Sequence, residues 1–448
     1  MINLNITPGS TSTGDGIDVT SIVNQILDSE RGPVKLLQSQ QSQIASETAV
    51  LNRLSLNLSA LEDKVNNLKD ITGGLSGMVA TSSQESVFTA SALSSATAGS
   101  HVVVVSQLAT TSSAYSNALA NSSTTFATGT LSLQVGSTAV DITVDSQNNT
   151  ISGLASYINA HSLGLIASVI QDADGARLAL VSKTSGLPGD ITISGNTTGL
   201  SITRVAGQNA ALTIDGVPIS SATNTVAGAL SGVTLTLVSA APGSQLRLEV
   251  SPDTAKAKQA INDFVAAYNS VITAINGQFA VNASTNTAGP LASNSTLRSL
   301  QTSLLSDVTY SITGNNGLIN LASIGVDMNN DGTLTVDSAQ LDSVLASQFT
   351  DVQNFFQSIS ADGFARHFSS DLGNLTDSTQ GAVALNLTQN ASTIAMLTDL
   401  INSFEDRMAV REKQLINQYS RIDILLRQYP LLVAQVTQQL DVLSQMRS

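Results

Sequence analysis

Residues 51–68 read LNRLSLNLSALEDKVNNL, with apolar positions spaced alternately three and four residues apart. This is the heptad spacing of a helix whose apolar stripe packs along a second helix. Pro33 can begin this helix and the glycines after Thr72 can end it, so we expect about 35 residues, roughly 50 Å. The stripe predicted to mediate helix association consists of Leu51, Leu54, Leu58, Leu61, Val65 and Leu68.

A second stripe with the same spacing lies near the other end of the chain. It runs from Ile394 to Val436, and the members predicted to mediate association are Ile401, Phe404, Met408, Leu415, Ile422 and Leu425. Arg411 and Gln418 interrupt this stripe, and polar residues at such positions weaken a coiled coil but can fix its register. We predict that the two stripes pair as a stalk; the alternative is that both are buried faces of ordinary bundle helices. Pro430 is expected to kink or end the second helix near Tyr429.

Between the two stripes the apolar period falls to two residues, as in 131–135, 141–144 and 233–237. This alternation is typical of strands, and it is punctuated by turn dipeptides such as Gly136-Ser137 and Asp215-Gly216. Helices are predicted at 151–160, 254–275 and 291–305. The expected fold class is therefore α+β and multidomain, with a helical coiled-coil stalk from both chain ends and β-rich domains inserted between them.

Composition and charge exclude several classes of function. The net charge of −14 opposes binding to nucleic-acid phosphates, so no nucleic acid is expected as a partner. The chain contains no cysteine, which excludes disulfides and thiolate chemistry. No apolar run is long enough for a membrane span, and the first residues lack the pattern of a cleaved signal peptide.

The sequence offers no convincing catalytic or metal-binding motif. Residues 327–332 read DMNNDG, like the opening of an EF-hand loop, but position twelve is Ser338 instead of Glu and the flanks have strand character. We therefore predict a hairpin turn there. His101, His161 and His367 are scattered and form no ligand pair on one helical face. No enzyme activity, metal site or cofactor is predicted.

Three segments resemble the flagellar filament cap family, also called flagellar hook-associated protein 2. The most specific is the stretch 16–27 with the residues that follow it, and the others are 158–182 and 214–237. The second also resembles a repeat inserted in flagellins. The N-terminal signature residues are Gly16, Asp18, Ile22, Val23, Glu30 and Pro33.

The resemblance implies a division into legs, plate and head. The expected segments are a flexible N-terminal leg segment (1–35), a stalk helix that pairs with the C-terminal helices (36–80), a β-rich plate domain (81–112 and 205–252), an inserted β-rich head domain with the flagellin-type repeat (113–204), a helical and β stalk domain (253–414) and a C-terminal leg helix (415–448).

The resemblance also implies a non-enzymatic role. A homo-oligomeric plate at the filament tip would promote folding and insertion of exported flagellin and prevent its loss. The implied partners are further copies of the chain, flagellin, the hook–filament junction protein and an export chaperone at the C-terminus. The implied location is extracellular, at the flagellum tip, after type III export without a cleaved signal peptide. The alternative is a secreted β-rich adhesin or other axial accessory protein that contacts host mucin or surface glycans.

Overall fold

The computed structural model describes residues 17–281, 283–284, 286–360 and 362–445. The α-helices there are α1 (Val19–Glu30), α2 (Gly32–Lys69), α3 (Ile151–Ala160), α4 (Thr254–Phe279), α5 (Ser295–Val308), α6 (Ser338–Ser347), α7 (Phe349–Gln357), α8 (Phe364–Thr376) and α9 (Ala382–Gln445).

The strands all lie between α2 and α6. They are β1 (Met78–Ser82), β2 (Phe88–Ala92), β3 (Gly99–Gln107), β4 (Thr111–Ser116), β5 (Gly129–Val135), β6 (Thr138–Val144), β7 (Leu165–Asp172), β8 (Gly175–Ser185), β9 (Ile191–Asn196), β10 (Ile202–Val205), β11 (Ala210–Ile214), β12 (Val217–Ser221), β13 (Thr225–Leu230), β14 (Val233–Leu237), β15 (Leu246–Pro252), β16 (Val326–Met328) and β17 (Leu334–Val336). The predicted α+β class, with β-rich domains inserted between helical ends, is confirmed.

The chain divides into two compact units. The first contains the described residues up to Asn66, Asp263–Asp337 and those from Ser358 onward, and the second contains Asn67–Asn262 and Ser338–Gln357. The first unit is mainly helical and the second contains most of the strands.

Two apolar cores of the second unit are each built from strands of two antiparallel sheets. One core combines the sheet β1-β15-β3-β11-β12 with the sheet β13-β14-β2, around the fully buried Phe88. In β3 the side chains of Val103 and Val105 are buried while Val102 is exposed, as strand alternation requires. Asp215 and Gly216 join β11 to β12 with φ of 51° and 82°, which confirms the predicted tight hairpin turn.

The other core combines the sheet β10-β4-β8-β7, the sheet β6-β5-β9 and helix α3. The Thr150 hydroxyl accepts a hydrogen bond from the Gly153 amide (3.0 Å) and so begins α3. The inward face of the helix presents Ile151, Leu154 and Ile158, all fully buried. The helix predicted at 151–160 is confirmed with those bounds.

Aromatic side chains from α4 and α8 form the centre of the first unit. The ring centroids of Phe264, Phe364 and Phe368 are each 5.7 Å from one another, and two of the three pairs meet edge to face. Such edge-to-face contacts stabilise a core beyond the effect of burial alone. The predicted α4 is confirmed and continues to Phe279, and α5 begins at Ser295, where the Asn294 side chain accepts from the Leu297 amide.

Several predicted boundaries differ from the structure. The helix expected over 36–80 occupies Gly32–Lys69, and β1 begins at Met78. A side chain at Gly73 would collide with the Asn67 carbonyl, which explains why the turn after α2 needs glycine there. The leg segment expected to be flexible through residue 35 contains α1 and the start of α2. Residues 1–16 lie outside the described part.

The second long helix also differs from its prediction. α9 runs from Ala382 to Gln445 with no break at 415, and it continues through Pro430. Of the two effects predicted for this proline, the end of the helix is therefore wrong, and the kink stays a prediction. A proline removes one backbone donor and crowds one carbonyl, a local defect that the many remaining hydrogen bonds of a 64-residue helix can tolerate.

The EF-hand-like segment forms the predicted hairpin. β16 and β17 pair antiparallel, and the Asp331 carboxylate accepts hydrogen bonds from the amide (3.0 Å) and hydroxyl (2.6 Å) of Thr333. These hydrogen bonds lower the pKa of Asp331. The carboxylate is thus engaged within its own turn. Among the described residues, no helix combines the length and apolar character needed to span a membrane.

Candidate functional site

The first helix of the chain packs against the last one. The Asp18 side chain accepts a hydrogen bond from the Ser21 amide (3.0 Å), which fixes the start of α1. Val23 and Leu27, one helical turn apart, are both 2% exposed. They form a small apolar cluster with Met408 and Leu415 of α9. Four partly buried residues pack against this cluster: Val19, Ile26, Phe404 and Tyr419.

Polar contacts flank this cluster and hold the two helices in register. A guanidinium nitrogen of Arg411 lies 3.4 Å from Glu30 Oε1, and the Arg31 guanidinium lies 3.5 Å from Glu405 Oε2. The Ile17 amide donates to the Asp423 carboxylate at 2.8 Å. Arg411, which interrupts the predicted stripe, therefore pairs with a signature residue of α1. Exposed ion pairs of this kind add little stability, but they favour one alignment of two helices over others.

The N-terminal signature residues have mainly structural positions. Asp18 caps α1, Ile22 is half-buried, Val23 is in the apolar cluster, and Glu30 is in the ion pair. Pro33 is the second residue of α2, where its missing amide hydrogen is not needed. Gly16 lies outside the described residues.

The beginning of α2 runs antiparallel to α9. Gln41 donates to the Thr398 hydroxyl (2.8 Å), and Asn390 donates to the Thr48 hydroxyl (3.2 Å). Residues later in α2 therefore contact residues earlier in α9, which is the pattern of two antiparallel helices. In this alignment, the part of α9 from Ile401 to Leu415 faces α1 and the first turns of α2, not the stripe that begins at Leu51.

The predicted stripe of α2 is buried, but its neighbours are other helices. All six members, from Leu51 to Leu68, are at most 2% exposed. Lys64 pairs with Asp263 of α4 at 3.0 Å. Two residues of α8 also reach α2, since Thr376 donates to Glu62 (2.9 Å) and Ser369 to Asn66 (3.0 Å). The prediction that this stripe pairs with the stripe of α9 is therefore corrected: up to Asn66, α2 is a bundle helix beside α4 and α8.

The stripe of α9 is divided between buried and exposed parts. Met408 and Leu415 are buried, while Ile401 and Phe404 are half-buried. Ile422 is 38% exposed and Leu425 is 65% exposed. Other apolar side chains in this part of α9 are also exposed, namely Ile424, Leu426, Tyr429, Leu431, Leu432, Val433, Val436, Leu440 and Val442.

We call residues 422–442 the C-terminal apolar segment. About twenty residues of exposed apolar helix form a surface of the kind that soluble proteins normally cover with a partner. The segment presents side chains on more than one face of the helix, so it is suited to insertion among several helices. The sequence identified Ile422 and Leu425 in this region, but it did not reveal α1, whose turn-spaced Val19, Val23 and Leu27 were the available signal.

Family models match both parts of the chain. The flagellar hook-associated protein 2 C-terminus matches residues 207–430, half of the chain, and the flagellar hook-associated protein 2 N-terminus matches residues 15–112. The chain belongs to the flagellar hook-associated protein 2 family. The resemblance inferred from the three sequence segments is thereby confirmed.

Two relatives in this family match over almost their whole length. The B-type flagellar hook-associated protein 2 of Pseudomonas aeruginosa is 28% identical over 95% of this chain and 94% of its own. The flagellar hook-associated protein 2 of Escherichia coli K12 is 28% identical over 96% of this chain and 98% of its own. The D1-D2-D3 domains of the flagellar cap protein FliD from Escherichia coli have a similar structure, with a TM-score of 0.58 and 26% identity, and cover 76% of this chain and 99% of that one.

Proposed function

We propose that this protein is a non-enzymatic flagellar filament cap, which forms a homo-oligomeric plate at the filament tip. Beneath this plate, exported flagellin folds and is inserted into the filament instead of being lost to the medium. Membership in the flagellar hook-associated protein 2 family supports the role, as does the structural similarity to a flagellar cap protein. The observation that carries the proposal to this chain is the exposure of the C-terminal apolar segment, a surface suited to a helical partner.

The C-terminal apolar segment and α1 act as the leg in this proposal. Flagellin and the hook–filament junction protein are the proposed partners outside the cell, because apolar helix faces can exchange one helical partner for another. Before export, the same exposed segment needs a cover, and we propose that a chaperone supplies it. The proposed location is the extracellular filament tip, reached by type III export without cleavage of a signal peptide.

Electron microscopy of a deletion strain, together with measurement of flagellin in the culture medium, tests the cap role. We expect hooks without filaments and monomeric flagellin in the medium. Filaments of normal length would contradict the proposal and favour an adhesin or an accessory axial protein, for which binding to host glycans would be the next assay.

Complementation of that strain tests the leg. Leu425→Asp places a charge on the exposed apolar face, and we expect it to leave the fold intact and to prevent filament growth. Gln414→Asp, at an exposed polar position of α9 outside the C-terminal apolar segment, is the matched control and should restore filaments. If Leu425→Asp also restores normal filaments, the C-terminal apolar segment is not the leg, even if the deletion result supports the cap role.

A further inference from the structure

A polar cluster lies between α5 and α8 in the first unit, away from the terminal helices. Asp307 is in the last turn of α5, and His367 and Asp371 are one turn apart on α8. His367 Nε2 lies 3.9 Å from Asp307 Oδ1 and 3.8 Å from Asp371 Oδ2. One ligand atom from each of the three residues lies within 4.8 Å of the other two.

Asp307 is the unusual member, because it is a carboxylate in the interior. It is 2% exposed, and its Oδ2 atom has no hydrogen-bond partner. A buried carboxylate without compensation is costly. Burial first, and then the negative charge of Asp371 and a side-chain hydrogen bond between the two acids, raise the pKa of Asp307 to about 7. The protein thus keeps a buried acid, one of whose oxygens is unpartnered, next to a second acid and an imidazole.

The imidazole is held with Nε2 toward the two carboxylates. Its ring stacks on Tyr310 at a centroid distance of 3.9 Å and an angle of 11°. On the opposite side of the imidazole, Nδ1 lies 3.6 Å from the Asp362 carboxylate. Tyr310 in turn donates its hydroxyl hydrogen to the Asp362 carbonyl (3.1 Å). A carboxylate behind a histidine is the usual arrangement of a metal-binding histidine, since it fixes the ring and leaves the other nitrogen as the ligand.

We propose that Asp307, His367 and Asp371 bind a divalent transition metal ion of the zinc class. One imidazole nitrogen and two carboxylate oxygens suit such an ion, whereas Ca²⁺ and Mg²⁺ prefer ligand sets made of oxygen alone. At metal–ligand distances near 2.1 Å, tetrahedral ligands are about 3.4 Å apart. The two pairs that include His367 Nε2, at 3.9 and 3.8 Å, need to approach by about half an ångström, and the two carboxylates, whose ligand atoms lie within 4.8 Å of each other, need to approach by at most about 1.4 Å.

The site has a closed side and an open side. Asp307 forms the buried base, whereas the side chains of His367 and Asp371 are 30% and 43% exposed. The ion can therefore enter from solvent, and water can complete its coordination. Because the ligands come from two helices, a bound ion would tie the end of α5 to α8 and stabilise the first unit. The sequence showed only the four-residue spacing of His367 and Asp371, since Asp307 is sixty residues earlier.

Zinc binding by the full chain tests the proposal. The chain is stripped with a chelator and titrated calorimetrically with Zn²⁺, and separately with Ca²⁺ and Mg²⁺. We expect one Zn²⁺ per chain, a higher thermal unfolding midpoint with Zn²⁺, and an intense visible absorption when Co²⁺ is used instead. No heat or midpoint shift at millimolar Zn²⁺ would overturn the proposal, and tighter binding of Ca²⁺ than Zn²⁺ would overturn the proposed metal class.

Variants of the exposed ligands separate a metal site from a structural role of the histidine. His367→Gln and Asp371→Asn should each weaken Zn²⁺ binding at least about tenfold and remove the Zn²⁺-dependent midpoint shift, and Asp362→Asn should weaken binding about tenfold. His161→Gln is the matched control, because this exposed histidine stacks on Tyr157 of α3 and should leave Zn²⁺ binding unchanged. Unchanged binding in both ligand variants would show that zinc binds elsewhere.

Discussion

The stripes of α2 and α9 have the same heptad spacing and similar residues, yet the structure gives them opposite environments. Leu58 is 1% exposed, whereas Leu425 is 65% exposed. Neighbouring helices α4 and α8 reach α2, while the C-terminal apolar segment remains open to solvent. Heptad spacing therefore identifies a helix with an apolar face. Which helix or partner covers that face depends on the rest of the fold and on the molecules that bind to it.

The strongest test of this difference is a charge at the buried stripe. Leu58→Asp should lower the free energy of unfolding of the first unit by more than about 4 kcal/mol, because it removes buried apolar contacts and places an unpaired carboxylate in the interior. Chemical denaturation followed by circular dichroism measures the loss. Leu56→Asp is the matched control: this residue, two positions away, is 71% exposed, and its substitution should change stability by less than about 1 kcal/mol. Equal effects of both substitutions would contradict the burial assigned to α2.

A smaller, local effect is expected where α1 meets α9. Leu27→Ala removes one of the four buried side chains of that cluster and should destabilise the α1 contact by about 2 kcal/mol, the lower end for such truncations because the cluster is small. Amide hydrogen exchange should accelerate in α1 and remain unchanged in α3. Leu36→Ala, at a residue 62% exposed, serves as the control. If exchange in α1 does not change, the helix is held by something other than this apolar cluster.

Much of the local structure could be predicted because its signals are local. The bounds of α3 follow from the Thr150 cap and the turn-spaced apolar residues after it. The hairpin at Asp331 follows from turn chemistry, and the missing glutamate together with the strand character of the flanks argues against an EF-hand. Each of these structures depends on interactions within a few residues, which a sequence displays directly.

Which helices pack together could not be predicted, because heptad spacing shows that a helix has an apolar face but does not show which helix packs against it. Ile401 to Leu415 was assigned to the stripe at Leu51, but α1 supplies the partner surface instead. A short stripe such as that of α1 is a weak signal beside a stripe of 18 residues. The presence of a charged residue at position 411 of the stripe is explained only by the structure, in which Glu30 lies opposite Arg411. The cluster of Asp307 with His367 and Asp371 was hidden for the same reason, since tertiary packing brings its members together.

The ion pair between the terminal helices should have a modest effect. A double-mutant cycle with Arg411→Ala and Glu30→Gln should give a coupling free energy of about 0.5 kcal/mol, because both side chains are more than a third exposed and solvent screens the charges. The coupling should shrink in high salt. Lys413→Ala, at an exposed position two residues from Arg411, should show no coupling with Glu30→Gln. A coupling above about 2 kcal/mol would mean that the pair is more shielded from water than the structure indicates.

The smallest effect on folding is expected at the exposed end of α9, where the functional effect is expected to be large. Leu425→Asp should change the free energy of unfolding of the isolated chain by no more than Gln414→Asp does, within about 0.5 kcal/mol, since both introduce the same modest helix penalty at exposed positions. Thermal and chemical unfolding of the purified variants measure this difference. A selective loss of about 2 kcal/mol in Leu425→Asp would show that the C-terminal apolar segment packs against its own chain. Equal stability, together with failed filament growth in Leu425→Asp alone, would assign the role of this exposed stripe to binding of a partner.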